Sequence, residues 1–403
     1  MLQTSTSEMR RNKTNFYGRG NWTLFFGSIY FFMANLFASI AIFPAYSLAI
    51  GSTPFQAGLQ STVFALTAVL ARFFLGPVMD RQGPKPLMIV GMFVFATTPL
   101  LLLINDSYAM LLVLRAYQSI GLAVVLPGIS TLAAEMATEG RIGAHLGATR
   151  IFFNLGLLSG PAAALYLIET FGYPTWFIVS SLAGISALGL LAAVKTPAVT
   201  VIVGKVSSSW TQLAAAMNSR VIYPIIIAIA VFSFTYSAVI SFAAVYIEET
   251  APGSGAAYFF VILGLAGITA SLGAGLLSDR YGRQNVAWPL LIVMGVGTAL
   301  FYFFPLWPVL IVICAFLIGI GIQGSSLVFT AWLIEIAKPG LRATTISIQE
   351  NIIDILFASG ALIFGLAAQG PGLGFAFLVS GILTVAVVFP LRKKSIALQD
   401  DAS

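Results

Sequence analysis

The chain has 403 residues, of which 59% are hydrophobic and only 8% charged, and its mean hydropathy is +0.96. Water-soluble domains carry about 25% charged residues, so this composition excludes a soluble domain and makes the lipid bilayer the first partner. The formal charge of +6 then depends for its meaning on which side of the bilayer the cations lie, and no nucleic acid is implied.

A helix needs about 20 apolar residues to cross the hydrocarbon core. Residues 1–21 are polar and basic and read as a tail. Trp22 opens an apolar stretch too long for a signal-peptide core, hence a retained first span. Apolar runs of spanning size follow near 22–50, 56–79, 85–104, 108–132, 143–168 and 173–194. After a polar gap over 195–220 they resume near 221–247, 255–278, 286–304, 307–334, 343–368 and 372–391, leaving a second tail over 392–403. The predicted organisation is therefore all-α, with twelve transmembrane helices in two six-helix bundles, 22–194 and 221–391. Thr53 and Pro54 offer a capping hydroxyl and a proline at the first helical position. Pro44, Pro127 and Pro161 fall inside spans, where a kink or break is expected. An amphipathic piece over Trp210–Met217 or a plain flexible tether would both suit the linker.

The halves repeat. Gly76-Pro-Val-Met-Asp80-Arg81-Gln-Gly83-Pro-Lys85 returns as Gly275-Leu-Leu-Ser-Asp279-Arg280-Tyr-Gly282-Arg283, offset by 199 positions. At an offset of 200, Gly121 matches Gly321, Glu135 matches Glu335, Gly140 matches Gly340 and Asn154 matches Asp354. Parallel six-helix repeats place a binding site at their interface and open it by rocking. Seventeen of the twenty Lys and Arg residues lie on the side of the two termini. By the positive-inside rule, both termini and the linker face the cytoplasm.

Single copies of histidine (His145) and cysteine (Cys314) exclude an internal disulfide and leave a structural zinc site unsupported. Cys314 reads as a small buried hydrophobe and His145 as a cap or interface residue. With no phosphate-binding loop and no Ser-His pair in a plausible setting, neither an enzyme nor an ATP-driven pump is expected, and no cofactor is implied.

The hairpin from Gly76 to Lys85 resembles the signature that the major facilitator superfamily carries between helices 2 and 3, with Pro84 in place of a common basic residue. Arg115-Ala-Tyr-Gln118-Ser119-Ile-Gly121 is similar to the fourth-helix motif of proton-coupled members, with Ser119 where glycine is common. Gly156-Leu-Leu-Ser-Gly160-Pro161 resembles the fifth-helix antiporter motif, with Ala163 and Ala164 in place of its closing glycines. The likeness covers all twelve spans. It implies a monomeric secondary transporter of the proton-coupled drug or metabolite exporter type, in a bacterial-type cytoplasmic (inner) membrane.

The candidate residues divide by depth. A carboxylate at the C-terminal end of a helix is unfavourable, so Asp80 needs a donor. Arg81, Lys85 or the start of helix 11 near Arg342–Thr345 would serve, and Asp279 would meet the start of helix 5 near Gly143. Gly76, Asp80, Arg81, Gly83, Lys85, Asp279, Arg280, Gly282 and Arg283 are thus expected at a cytoplasmic gate, with Glu135 and Glu335 pairing to Arg141 or Arg342. Gly156, Gly160 and Pro161 should let helix 5 approach a neighbour closely.

Asp354 lies about 16 Å into helix 11, near mid-membrane, with Glu350 one turn before it. A charge at that depth costs roughly 2.5–3.5 kcal/mol on insertion scales, so a partner or a wet cavity is required. Low polarity favours the neutral carboxyl and a nearby guanidinium favours the anion, the competition a proton site needs. Asp354 is therefore the expected proton acceptor, Glu350 the second carboxylate and Arg150 the fixed charge. The resemblance adds Arg115 to the coupling machinery. It also implies a cavity lined by helices 1, 4, 7 and 10, for which Asn35, Phe234, Tyr236, Gln323 and Trp332 are candidates, with Asn154 facing it from helix 5. Mixed charge and aromatic walls suit a zwitterionic or amphiphilic organic substrate exchanged for protons. A symporter importing an organic acid, or a receptor of transporter type without net flux, would also fit.

Overall fold

Backbone amides in lipid must find partners within the protein, which leaves a chain of this composition only helices or a closed barrel. The computed structural model describes residues 18–104, 107–137, 142–196, 222–252, 255–336 and 342–400, and all its long elements are helices. They are α1 (Arg19–Ala49), α2 (Pro54–Gln82), α3 (Pro84–Leu102), α4 (Tyr108–Met136), α5 (Ile142–Phe171) and α6 (Tyr173–Ala193). The second series is α7 (Ile222–Thr250), α8 (Ala256–Tyr281), α9 (Arg283–Leu300), α10 (Leu310–Ile336), α11 (Arg342–Gln369) and α12 (Leu373–Asp400), with a 3-10 turn, Phe301–Phe303, extending α9. Eleven of them contain stretches long and apolar enough to cross a membrane among the described residues. The twelfth, α2, carries a single charge, Arg72, between Ser61 and Val78. The chain is a twelve-helix, all-α membrane protein of two pseudo-symmetric six-helix halves. The tail over 1–17, the linker over 197–221 with Trp210–Met217, and Arg141 and Lys338 lie outside the described residues.

Helix starts follow local chemistry. At α2 the Thr53 hydroxyl accepts from the Gln56 amide at 3.3 Å while the Gln56 side chain accepts from the Thr53 amide at 2.8 Å, a reciprocal capping box. Ser107 caps α4 by accepting from Met110 N at 3.3 Å. Pro44, Pro127 and Pro161 lie inside helices that run on without a break, the lost hydrogen bond being tolerated as neighbouring helices allow. One boundary needs correction. Helix α12 does not end near 391 but carries Arg392, Lys393 and Lys394 on to Asp400. These residues are good helix formers, and cations suit the C-terminal end of the helix dipole.

The repeated hairpins are shorter than the sequence suggests. One residue, Gly83, separates α2 from α3, and one residue, Gly282, separates α8 from α9. Their φ angles are 80° and 87°, a region that side-chain-bearing residues avoid. A Cβ on Gly282 would meet nothing within 4 Å, so backbone conformation alone demands glycine there. Pro84 occupies the first turn of α3, where its missing N–H costs nothing.

Helix neighbours repeat as well. In the first series α3 packs on α4 and α6, α4 on α5, and α5 on α6; in the second α9 packs on α10 and α12, α10 on α11, and α11 on α12. Compactness divides the chain at finer points. One unit holds α1 up to Ser39, α2 from Thr67, and α3–α6; the other holds residues 40–66 with α7–α12. The reason for the second grouping is visible in α2, where the Thr62 hydroxyl donates to Ala358 O of α11 at 2.8 Å and Gly58 lies against Ala361 O.

Candidate functional site

In the first unit the inward face of α1 meets α4 and α6 through polar side chains. Arg115 lies seven residues into α4, about 10 Å along the axis, and is 0% exposed. Its Nη1 donates to Gln118 Oε1 at 2.6 Å, and Gln118 Nε2 donates to Ser39 Oγ at 3.2 Å. Ser39 Oγ donates to Asn35 Oδ1 at 3.3 Å, one turn back on α1. Asn35 in turn bridges to α6, giving its Nδ2 hydrogen to Ser180 O at 2.8 Å and accepting from Ser180 Oγ at 2.9 Å. A guanidinium is thus held at the end of a four-residue chain of neutral groups that ties together three helices. Hydrogen bonds to a charged group contribute about 1.5–3 kcal/mol each, which offsets much of the cost of placing Arg115 at this depth.

Asn35, expected along a cavity wall, is 2% exposed and sits in the α1–α6 seam with both ends of its amide engaged. Ser39 and Ser180 were not singled out from sequence. Ser39 follows Asn35 by four residues and Ser180 matches Ser380 at the repeat offset, but neither spacing says that α1 touches α6.

In the second unit the acidic pair lies on α11. Glu350 and Asp354 are half-buried, one turn apart. Beside them Gln349 donates from Nε2 to Thr330 Oγ1 of α10 at 2.7 Å. Of their first-half counterparts, Asn154 is buried and Arg150 is exposed, its guanidinium carbon 5.7 Å from the Phe153 ring centroid. The aromatic candidates gather on α7 and its neighbours. Tyr236 stacks on Phe232 at 5.8 Å and meets Phe357 of α11 edge-on at 5.7 Å, and Phe234 lies 5.9 Å from Phe364. Trp332 is 2% exposed and packs edge-to-face on Trp288 of α9 at 5.8 Å, which places it in a helix seam. Gln323 covers Gly267 of α8, where a Cβ would come within 2.6 Å of it.

The small residues of α5 sit against α1. A Cβ on Gly156 would lie 2.8 Å from Ala34 N, and one on Gly160 would strike Ala34 O. The second unit has the same contact at the repeat offset, with Gly360 of α11 facing Phe234 O of α7 at 2.8 Å. Pro161 follows Gly160 within the same unbroken helix.

At the hairpins, the side chains of Asp80 and Arg81 lie outside the described set, as does that of Arg342. Gly76 and Gly275 are both interior to their helices. Asp279 is met by Arg283 within its own hairpin, Nη1 to Oδ1 at 2.5 Å. Arg283 also pairs through Nε with Glu335 at 3.2 Å and donates to Ser278 Oγ at 2.6 Å. Among the described residues Glu335 pairs with Arg283 of the hairpin; the expected partners Arg141 and Arg342 have side chains outside the described set. Arg280 lies over Tyr281, 5.4 Å from its ring centroid. Lys85 reaches the C-terminus of α6, donating to Ala192 O at 3.0 Å and Val194 O at 2.6 Å; cations complement the last carbonyls of a helix. His145 stacks on Trp22 with centroids 3.9 Å apart, an interface between α5 and α1. Cys314 is a free, buried thiol.

The profile described as Major Facilitator Superfamily matches residues 24–305, and that described as Sugar (and other) transporter matches residues 226–389. The quinolone resistance protein NorA of Staphylococcus aureus (strain COL) is 24% identical over 375 residues, covering 88% of this chain and 92% of the relative. Among solved structures, the nucleoside transporter NupG superposes with a TM-score of 0.78 at 13% identity, over 94% of this chain and 99% of that one. The peptide transporter POT gives a TM-score of 0.72 at 16% identity, over 93% and 95%. At these identities the structural matches speak for the fold.

Proposed function

Because this chain belongs to the Major Facilitator Superfamily, we propose that it exports a small drug-like, zwitterionic or amphiphilic organic compound in exchange for protons, by alternating access. The observation that carries this reading is the buried Arg115, held through Gln118 to Ser39 and Asn35. A buried cation inside a bundle is expensive and marks a functional site by default. The relative NorA bears a name for quinolone resistance, which supports the direction and the substrate class.

In this mechanism Asp354 accepts the proton and Glu350, one turn away, serves as the second carboxylate. Arg115 and Arg150 supply fixed positive charge on α4 and α5. Asn154, Phe234, Tyr236 and Gln323 contact the compound. The hairpins around Asp80 and Asp279 latch the cytoplasmic side, and both termini face the cytoplasm.

The test is flux in proteoliposomes under an imposed pH gradient. With an acidic lumen, a quinolone should accumulate inside as protons leave, and Asp354→Asn should abolish the gradient-driven component. Accumulation that instead follows inward proton flow would make the protein an importer by symport. Gradient-driven flux unchanged in Asp354→Asn would remove the assigned proton site.

A further inference from the structure

The second unit carries an apolar trough on its outer surface that the transport reading does not use. It has a volume of about 600 Å³ and runs between α9 with its 3-10 turn and α12. One wall is formed by Val296, Leu300 and Phe303, the other by Ile382, Ala386 and Phe389, and every lining residue is apolar. Its origin is a size mismatch. The α9 and α12 backbones approach closely at Gly295 and Gly381, where a Cβ on Gly295 would come within 2.9 Å of Gly381 O. Beside that contact the small Ala299 and Ala386 leave space, and Phe303 and Phe389 stand towards the two ends.

The trough follows α12 from Leu378 to Phe389, a rise of about 16 Å. That is close to half of the ~30 Å hydrocarbon core, the depth of one leaflet. Ile382 and Phe389 are 53% and 64% exposed, so the trough opens sideways, as a membrane-embedded acyl chain would need. What lies past its Phe389 end narrows the occupant. On a helix the residues three and four positions beyond Phe389 share its face, and these are Arg392 and Lys393, with Lys394 next. All three are exposed. Basic residues at the boundary between spanning helices recognise anionic lipid headgroups.

We propose that this is a binding site for an anionic phospholipid. One acyl chain lies in the α9–α12 trough and the phosphate is held by Arg392 and Lys393. A zwitterionic lipid of the same chain length gains the apolar contacts but lacks the net charge that the basic pair selects.

The experiment uses purified full-length protein, delipidated in detergent and titrated with phosphatidylglycerol or phosphatidylcholine bearing identical acyl chains. Bound lipid is counted by native mass spectrometry. Phosphatidylglycerol should bind at least about fivefold more tightly. R392Q/K393Q, at exposed positions, should remove that preference and leave phosphatidylcholine binding unchanged. Ala386→Phe, which fills the trough from its exposed side, should weaken both lipids. Equal affinities in the parent, or a preference that survives R392Q/K393Q, overturn the headgroup assignment. Unaltered lipid binding in Ala386→Phe overturns the trough, and a change in monomer–dimer balance alone would make this face a contact between two copies instead.

Discussion

The α1/α4/α6 seam of the first unit and the α7/α10/α12 seam of the second occupy the same place in the repeat, yet only one of them is charged. Both keep a polar bridge between their outer helices at the same register. Asn35 meets Ser180 in one; in the other Thr235 meets Ser380 at 3.0 Å and Thr384 at 2.8 Å. The middle helix differs. Where α4 has Arg115 and Gln118, α10 has Ala315 and Ile318, all four at 0% exposure, and where α1 has Ser39, α7 has Val239. The duplicated bridge is therefore part of the architecture. The guanidinium and its acceptor are an addition made on one side only, so a structural requirement of the fold does not explain them.

The severest way to break this comparison is to move the charge across. Ala315→Arg would place a guanidinium where Ile318 and Val239 offer no acceptor, and an uncompensated buried charge costs about 3–5 kcal/mol. Thermal unfolding in detergent should show a collapse that Ile318→Gln partly reverses. The reciprocal change, Arg115→Met, should leave the unfolding midpoint near that of the parent while gradient-driven flux is lost. If both changes damaged folding equally, Arg115 would be a structural residue after all.

A second comparison concerns the tight packing of α5 on α1 and of α11 on α7. Gly160→Leu and Gly360→Leu each force a side chain against a backbone carbonyl, and overpacking of this kind costs about 1–3 kcal/mol. Equal destabilisation would confirm that the glycine contact belongs to the repeat. A far larger loss of flux in Gly160→Leu at equal stability would return a specific antiport role to α5.

The smallest effect is expected at the hairpin. Asp279 and Glu335 are each 64% exposed where they meet Arg283, and exposed ion pairs contribute only about 0.2–1 kcal/mol. Arg283→Gln should shift the unfolding midpoint slightly and lose that shift in high salt. Its influence on gating would be read separately, from flux.

The helices and their internal repeat were legible because lipid leaves so few options: runs of apolar residues with polar breaks can hardly be anything else. Arg115 and Gln118 stand in the fourth-helix motif through which the resemblance pointed to Arg115, and three residues apart on one helix they are within reach of each other. What sequence could not supply was the third helix. Ser39 and Ser180 are ordinary residues in spanning helices, and their meaning depends on α1 and α6 touching. Trp332 shows the same limit from the other side. An aromatic residue on α10 suggested a binding wall, but identity alone does not say which face of a helix points at Trp288. The continuation of α12 was hidden because three consecutive cations past an apolar run read as a tail, whereas here they extend a helix and border a groove.

The single-residue junctions have a mechanical consequence. Between α2 and α3 the chain has only the two soft torsions of Gly83, and between α8 and α9 only those of Gly282. Each pair of helices is therefore a knuckle rather than a tethered pair, with no slack to absorb a change in chain length. Adding one residue would displace the following helix by about 3.8 Å along the chain path and rotate every side chain on it. A reporter or epitope placed at these hairpins would split the joint, whereas point substitutions beside it leave its length intact.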